Sequence, residues 1–194
     1  TAIPNAAHIA VFDTAFYSGL PMHEVVYPVP YQWLEEYGIR RYGFHGISHA
    51  YCAARAAEIL GRQEDLSLRL VICHLGNGCS ATAVRGGQPI ATTMGFTPLE
   101  GLMMGTRSGS IDPGILLHLM QQHGTNAKQI DEYLNRQSGL LGVSGVSSDY
   151  REVEKSARAG NQRAQLAIEM FASRIRSTIG AFAVTLGGID SLIF

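Results

Sequence analysis

The chain has 194 residues, of which 46% are hydrophobic and 16% charged, and its formal net charge is −1. That much apolar material supports one good core, or one domain plus part of another. The near-neutral balance excludes a nucleic-acid partner held by a broad basic face, and no apolar run reaches the roughly 18 residues that a membrane helix needs.

The first element in chain order is "HIAVFDTAF" (8–16), which reads as a short buried strand over Ile9–Phe12 with Asp13 at its C-terminal end. "PYQWLEEYG" (30–38) predicts a short helix closed by Gly38. "IRRYGFHG" returns to extended chain, and Ser48 is placed to cap a helix running through "HAYCAARAAEIL" to Gly61. The strongest β signal follows: strands at 68–74, 79–85 and 88–93, separated by the glycine turns "GNG" and "GG", predict an antiparallel meander. Residues 94–114 fit no period, but Leu99, Leu102, Met103 and Met104 argue for order, and long irregular segments of this kind tend to be functional.

Helices are expected at about 114–122 and 126–135, then a Ser/Gly loop, "SGLLGVSGVSSD", ending at the cap residue Asp149. A long helix over about 161–186 carries Ile168, Phe171, Ile175, Ile179, Phe182 and Leu186 along one face, suited to core packing or a subunit interface. The terminal "IDSLIF" reads as a buried strand cut short, so a piece of a longer protein is expected. No charged-then-apolar leader opens the sequence, and the expected location is cytoplasmic. Cys52, Cys73 and Cys79, odd in number and in no CxxC arrangement, favour free thiols over disulfides or zinc.

Lysine is almost absent, Lys128 and Lys155 being the only two, so any phosphate would be held by arginine and backbone amides; a P-loop is excluded. In "RRYGFHGISH" (40–49), His45 and His49 stand four apart, but Gly46 occupies the place where a zinc protease pair needs Glu. The plain alternative is a polar turn capping a helix; the functional one is anion contact by His45 just before a helix N-terminus. "HLGNGCS" (74–80) offers turn amides beside Asn77 that could cradle phosphate, against a plain type I′ hairpin. "GTRSGSIDPG" presents Arg107 on a glycine-flanked loop, either a solvated charge or a phosphate contact. Asp13 is either a turn cap or a functional carboxylate at a strand end. "GLLGVSG" misses the GxSxG pattern at its fifth position, which discards a serine hydrolase. Taken singly, each plainer reading is favoured; together the segments share one theme, anion-binding turns with one acid and one arginine.

"VFDTAF", "RRYGFHGISH", "CHLGNGCS", "MGFTPLEGLMMGTRSGSIDP" and "SGLLGVSGVSSDYR" resemble, in that order, the successive motifs of the acetate kinase family, over essentially the whole chain. Propionate kinases are so similar that these stretches do not separate the two. The resemblance implies an α/β fold of the actin, sugar-kinase and chaperone-ATPase superfamily, a ribonuclease-H-like mixed sheet with flanking helices. Residues 1–15 would end a first domain, and 16–194 would be a second domain lacking its C-terminal part. It implies reversible phosphoryl transfer between ATP and acetate, giving acetyl phosphate and ADP, with Mg²⁺ and a homodimeric assembly.

Carried over by motif, Asp13 would be an active-site carboxylate tied to the metal, and His45 and Arg107 would contact the phosphoryl group in flight. His74, Gly76, Asn77 and Gly78 match the family's phosphate-binding hairpin. Asp149, Tyr150 and Arg151 match a segment lining the adenosine site, and Phe44 and Pro98 the pocket for the acetate methyl. Ile47 stands where Thr is usual, and Ser110 where an acid is often found. The family's N-terminal Asn-Ser motif, a second substrate arginine, the "GGIGE" adenosine loop and a late glutamate are not in the sequence, so little activity is expected of this chain alone. Two alternatives remain: a propionate kinase, or a non-catalytic dimerising piece of such an enzyme.

Overall fold

A computed structural model describes residues 6–194. A 3₁₀ turn at Ala15–Gly19 leads to the short helices α1 (Met22–Val25) and α2 (Gln32–Tyr37), then to α3 (Gly46–Ile59). Strands β1 (Arg69–Leu75), β2 (Cys79–Arg85) and β3 (Gln88–Thr92) follow. After a long irregular segment come α4 (Gly114–His123), α5 (Ala127–Arg136), α6 (Gly139–Ser144), α7 (Tyr150–Arg158), α8 (Gln162–Leu186) and β4 (Ser191–Ile193).

The expected antiparallel meander forms. β1 pairs antiparallel with β2, and β2 with β3. Gly86 and Gly87 join the latter pair at φ 53° and 77°, the left-handed values a two-residue hairpin of this twist requires. β4 adds to β1 in parallel, giving the order β3-β2-β1-β4 and a mixed sheet.

Because side chains alternate across a strand, the sheet presents two different faces. Val71, Cys73, Cys79, Ala81 and Ala83 point to one side, where Ile175, Phe182 and Leu186 of α8 close the main core together with Met94, Leu102 and Met104. Leu70, Ile72 and Val84 point to the other, against Ala53 and Ala56 of α3. The outcome is three layers: helix, sheet, helix. Asn161 caps α8, its side chain accepting from the Ala164 N–H at 3.1 Å, and Gly187 closes the helix in the left-handed region at φ 71°. A third cluster, with Met103, Leu140, Val153, Ala164 and Ala167 buried, seats α6 and α7 on the first half of α8. The irregular segment is ordered as its apolar residues suggest: Met94, Leu102 and Met104 are fully buried, while Leu99 is only half-buried.

Four expectations require correction. Ile9–Phe12 has no regular secondary structure and pairs with no strand among the described residues, and Ile9, Val11 and Phe12 are exposed; without a partner ladder, neither strand nor burial follows. "IDSLIF" does form a strand, but at the sheet edge and only partly covered. The Ser/Gly loop contains α6, which forms because Leu140 finds a buried seat and Gly145, at φ 68°, ends the turn. Ser48 does not cap α3; it sits within the first turn.

Leu70 is 1% exposed and Val184 is 83% exposed. Leu70→Ala is expected to cost about 2–5 kcal/mol of unfolding free energy, whereas Val184→Ala stays within about 0.5 kcal/mol of the parent. Urea denaturation of both variants checks the contrast.

Candidate active site

The site begins where α3 begins. The first amides of a helix have no partner within it, and here Asp13 supplies two: its Oδ2 accepts from the His45 N–H at 2.7 Å, and its carbonyl accepts from the Gly46 N–H at 2.8 Å. The carboxylate also stands at the positive end of the helix dipole. To reach this arrangement His45 adopts φ 60°, the one non-glycine left-handed residue among the described residues. A Cβ on Gly46 would lie 2.2 Å from the Asp13 carbonyl oxygen, so only glycine fits there.

From His45 onward, α3 turns His49, Ala53 and Ala56 toward the sheet. The face they meet runs from Leu70 and Ile72 to His74 along β1, and from Val84 and Thr82 to Ser80 along β2, with His74 directly opposite Ser80 in the register. The layer is therefore apolar at one end and polar at the other. At the polar end, His45 Nδ1 lies 2.8 Å and His49 Nε2 2.7 Å from the same Ser80 Oγ. Ser48 Oγ lies 3.0 Å from His74 Nδ1, and the His45 and His74 rings stack with centroids 4.1 Å apart. Tyr17 backs the group: its hydroxyl donates to the Phe44 carbonyl at 3.0 Å and shares a hydrogen bond with Thr82. Burial above all, then the neighbouring His74, lowers the pKa of His45; Arg107 adds to this, and Asp13 opposes it. The same burial pushes His49 down to about 3, so it is neutral in the folded protein.

The turn between β1 and β2 corrects the hairpin expectation. A type I′ turn needs positive φ at its central residues, and none of Gly76, Asn77 and Gly78 has it. These glycines serve close approach instead. A Cβ on Gly78 would fall 3.2 Å from His45 Nε2 and 3.4 Å from Arg107 Nη1, and one on Gly76 would fall 3.4 Å from His74 Nε2. The irregular segment docks on the same turn: the Gly105 N–H donates to the Asn77 carbonyl at 3.1 Å. It delivers Arg107, whose Nη1 donates to the Pro98 carbonyl at 3.2 Å. Among the described residues no carboxylate pairs with Arg107, so its charge is oriented but not neutralised. An imidazole, a guanidinium and bare turn amides around one point suit an anion with several oxygens.

On the other side of the turn lies a cavity of about 830 Å³. Gly76 and Asn77 form one edge; Asp149, Tyr150 and Arg151 form another; Leu140, Phe171, Ile175 and Ile179 give it an apolar floor. Asp149 caps α7 through the Arg151 N–H at 2.9 Å and pairs with the Arg151 guanidinium at 2.5 Å; that hydrogen bond holds the carboxyl at about 2. Tyr150 packs against Phe171 with ring centroids 5.8 Å apart. The size and lining suit a flat, largely apolar small molecule with a polar end.

The residues singled out from the sequence thus gather in two adjoining places. Asp13, His45, His74, Gly78 and Arg107 surround the anion point; Asp149, Tyr150 and Arg151 border the cavity; Gly76 and Asn77 belong to both neighbourhoods. Phe44 packs against the main core beside His45, and Pro98 anchors Arg107, so each stands one step from the anion point. Phe171, Ile175 and Ile179 were missed, because their spacing reads as core or interface and only the tertiary arrangement shows them under a cavity. Ser80 was missed too: a serine in "CSATAVR" looks like any small strand residue.

Comparisons with known proteins bear on the chain's family. Residues 1–194 match the acetokinase family throughout. The chain is 60% identical to acetate kinase of Cyanothece sp. over 100% of its length, covering 47% of that protein, and 62% identical to acetate kinase of Gloeobacter violaceus over 98%, again covering 47%. Crystal structures of Porphyromonas gingivalis acetate kinase (TM-score 0.91, 49% identity) and a Francisella tularensis propionate kinase (TM-score 0.90, 44% identity) superpose on 95% of the chain, covering 46% and 47% of theirs. The chain spans about half the length of the curated relatives it matches.

Neutral His49 links folding to acidity. An unfolded histidine binds protons below about pH 6.5, while in the fold His49 resists them to about 3. Its contribution is complete above the unfolded pKa and is lost as pH falls toward the folded one. Unfolding free energy is expected to drop by about 2 kcal/mol between pH 7 and pH 5 from this group alone, read as a shift of the urea midpoint; a flat profile across that interval would show His49 to be solvated.

Proposed function

The chain belongs to the acetokinase family, and from that premise we propose that it forms one wall of the active site of an acetate kinase, catalysing reversible phosphoryl transfer between ATP and acetate to give acetyl phosphate and ADP. The observation that carries this reading is the turn at 76–78. Its Gly76 and Asn77 edge a nucleoside-sized cavity, while Gly78 meets His45 and Arg107 on the far side. A nucleotide seated with its base over Phe171 and Ile175 would run its phosphates along that turn and present the terminal phosphoryl group to the imidazole and guanidinium.

The chemistry fits the donor set. Acetate is ionised at neutral pH, since carboxyl groups titrate near about pH 4–5, so the nucleophile needs no general base. The difficulty lies in bringing an anion against a polyphosphate and stabilising a planar, metaphosphate-like state. Arg107, His45 and the turn amides would act on its equatorial oxygens, and Asp13, held by His45 and Gly46, would position rather than deprotonate. Phe44 and Pro98 would border the acyl group.

Magnesium suits this set: it binds through one or two carboxylates together with phosphates and waters, and Asp13 keeps Oδ1 available while Oδ2 is bonded to His45. Among the described residues no three-residue cluster could cage a metal by itself. When bound, the ion would neutralise charge on the phosphate oxygens. Residues 1–15 would complete a first domain and 16–194 a second, with the opposite wall supplied from elsewhere in the whole protein, a cytoplasmic homodimer. The likeness to the Francisella tularensis structure keeps propionate as the second candidate acceptor.

Arg107→Ala in the full-length enzyme is expected to lower kcat by roughly 10³-fold while changing the KM for ATP little; unchanged kcat would remove Arg107 from the clamp. His45→Ala should depress turnover with nucleotide affinity retained, and calorimetry showing lost ATP affinity would reassign it to ground-state binding. Hydroxylamine trapping of acyl phosphate, with acetate and propionate compared by kcat/KM, decides the acceptor. The 194-residue chain alone should trap little product, and robust turnover from it would contradict the one-wall reading.

A further inference from the structure

Ser80 Oγ carries one proton yet bridges two imidazoles, at 2.8 Å from His45 Nδ1 and 2.7 Å from His49 Nε2. It can donate to only one of them, and if both rings donated to its two lone pairs its own buried proton would have no acceptor among the described residues, so one ring accepts and the other donates. His49 decides which. Its ring is fully buried, and its Nδ1 has no hydrogen-bond partner. An orphaned buried N–H is rarer and costlier than an orphaned lone pair, so the proton of neutral His49 resides on Nε2 and is donated to Ser80.

Ser80 must then donate to His45 Nδ1. A neutral His45 whose Nδ1 accepts has its proton on Nε2, the atom 3.2 Å from the point where a Gly78 Cβ would sit, next to Arg107 Nη1 at 3.4 Å from that point.

We propose that Ser80 and His49 are positioning residues that fix the tautomer of His45, so that its Nε2–H is a neutral donor aimed at the anion point beside Arg107. In the kinase reading, on which this rests for its catalytic meaning, the relay gives the transferring phosphoryl group a hydrogen bond that needs no proton uptake from solvent. It also explains why a buried histidine with an unmatched nitrogen is present at all: an apolar residue in its place would leave Ser80 free to donate or accept at will.

Long-range ¹H–¹⁵N correlation spectra of the intact protein labelled with ¹⁵N-histidine at pH 8 test the assignment, with His45→Gln identifying the resonances. Nε2 of both His45 and His49 is expected in the protonated range and Nδ1 of both in the unprotonated range; a protonated Nδ1 on either ring overturns the proposal. Ser80→Ala should give His45 a mixed tautomer and lower kcat roughly tenfold to a hundredfold with the KM for ATP unchanged, and Ser80→Thr, which keeps the hydroxyl, should reverse both effects. Should Ser80→Ala leave the His45 tautomer intact, the relay is not what sets it. The wild-type spectra depend on no variant folding and no turnover, so the expected tautomers in a protein without phosphotransfer would sink the kinase reading and leave the relay standing.

Discussion

The register between β1 and β2 is the constraint on which the site depends. Cα pairing sets His74 against Ser80 and Leu75 against Cys79. A slip of one residue in either strand would rotate its side chains to the opposite face, carrying Ser80 or His74 into the α8 core and Cys79 or Cys73 against α3. Both errors are costly, since imidazole and hydroxyl would enter an apolar core unpaired while the polar end of the α3 layer would lose its bridge. Burial raises the Cys73 thiol to about 11 and Cys79 to about 12. They serve as small apolar fillers, and their chemistry is silent. The same alternation that builds the core therefore aims the polar residues.

Upon that register the molecule concentrates donors at a single end of one layer. Asp13 is spent on the first amides of α3, Tyr17 on Phe44 and Thr82, and Glu100 on Arg41. Arg107 is braced by the Pro98 carbonyl and has no carboxylate partner among the described residues. His45 accepts an unfavourable left-handed backbone, of order 1–2 kcal/mol, which the two bonds donated to Asp13 by the His45 and Gly46 amides help to offset. The left-handed His45, the orphaned His49 nitrogen and a guanidinium with no carboxylate partner among the described residues all fall within one short region, where preorganised donors are most useful to a charge that develops during reaction.

Much of the scaffold was legible in the sequence because it is local. The meander announced itself through apolar strands and glycine turns, α8 through a 3,4 spacing, α5 through its expected span at about 126–135, and the start of α7 through the cap residue Asp149. What failed was whatever depends on distant chain. Ile9–Phe12 has a strand's composition but no partner among the described strands. "GNG" has the letters of a type I′ turn, yet Gly78 is small because His45 and Arg107 crowd it, which no local rule shows. Asp13, His45 and Arg107 stood out locally, each with a plainer explanation by itself, and only the family resemblance joined them into one site. Ser80 and Phe171 were hidden, since a strand serine and a helix phenylalanine acquire meaning only from what lies across from them.

β4 has a consequence for how the chain assembles. Its bond from the Arg69 N–H to Asp190 Oδ2 joins residues 121 apart, and Arg69 Nη1 also holds the Gly187 carbonyl. The hairpins of β1, β2 and β3 close over a few residues, whereas this edge can dock only after five helices have been threaded between. Loop closure of that span is entropically late. The hairpins can therefore close before β4 is reached, so a ribosome releasing the polypeptide exposes the imidazole-bearing hairpin long before the strand that pairs along the other side of β1.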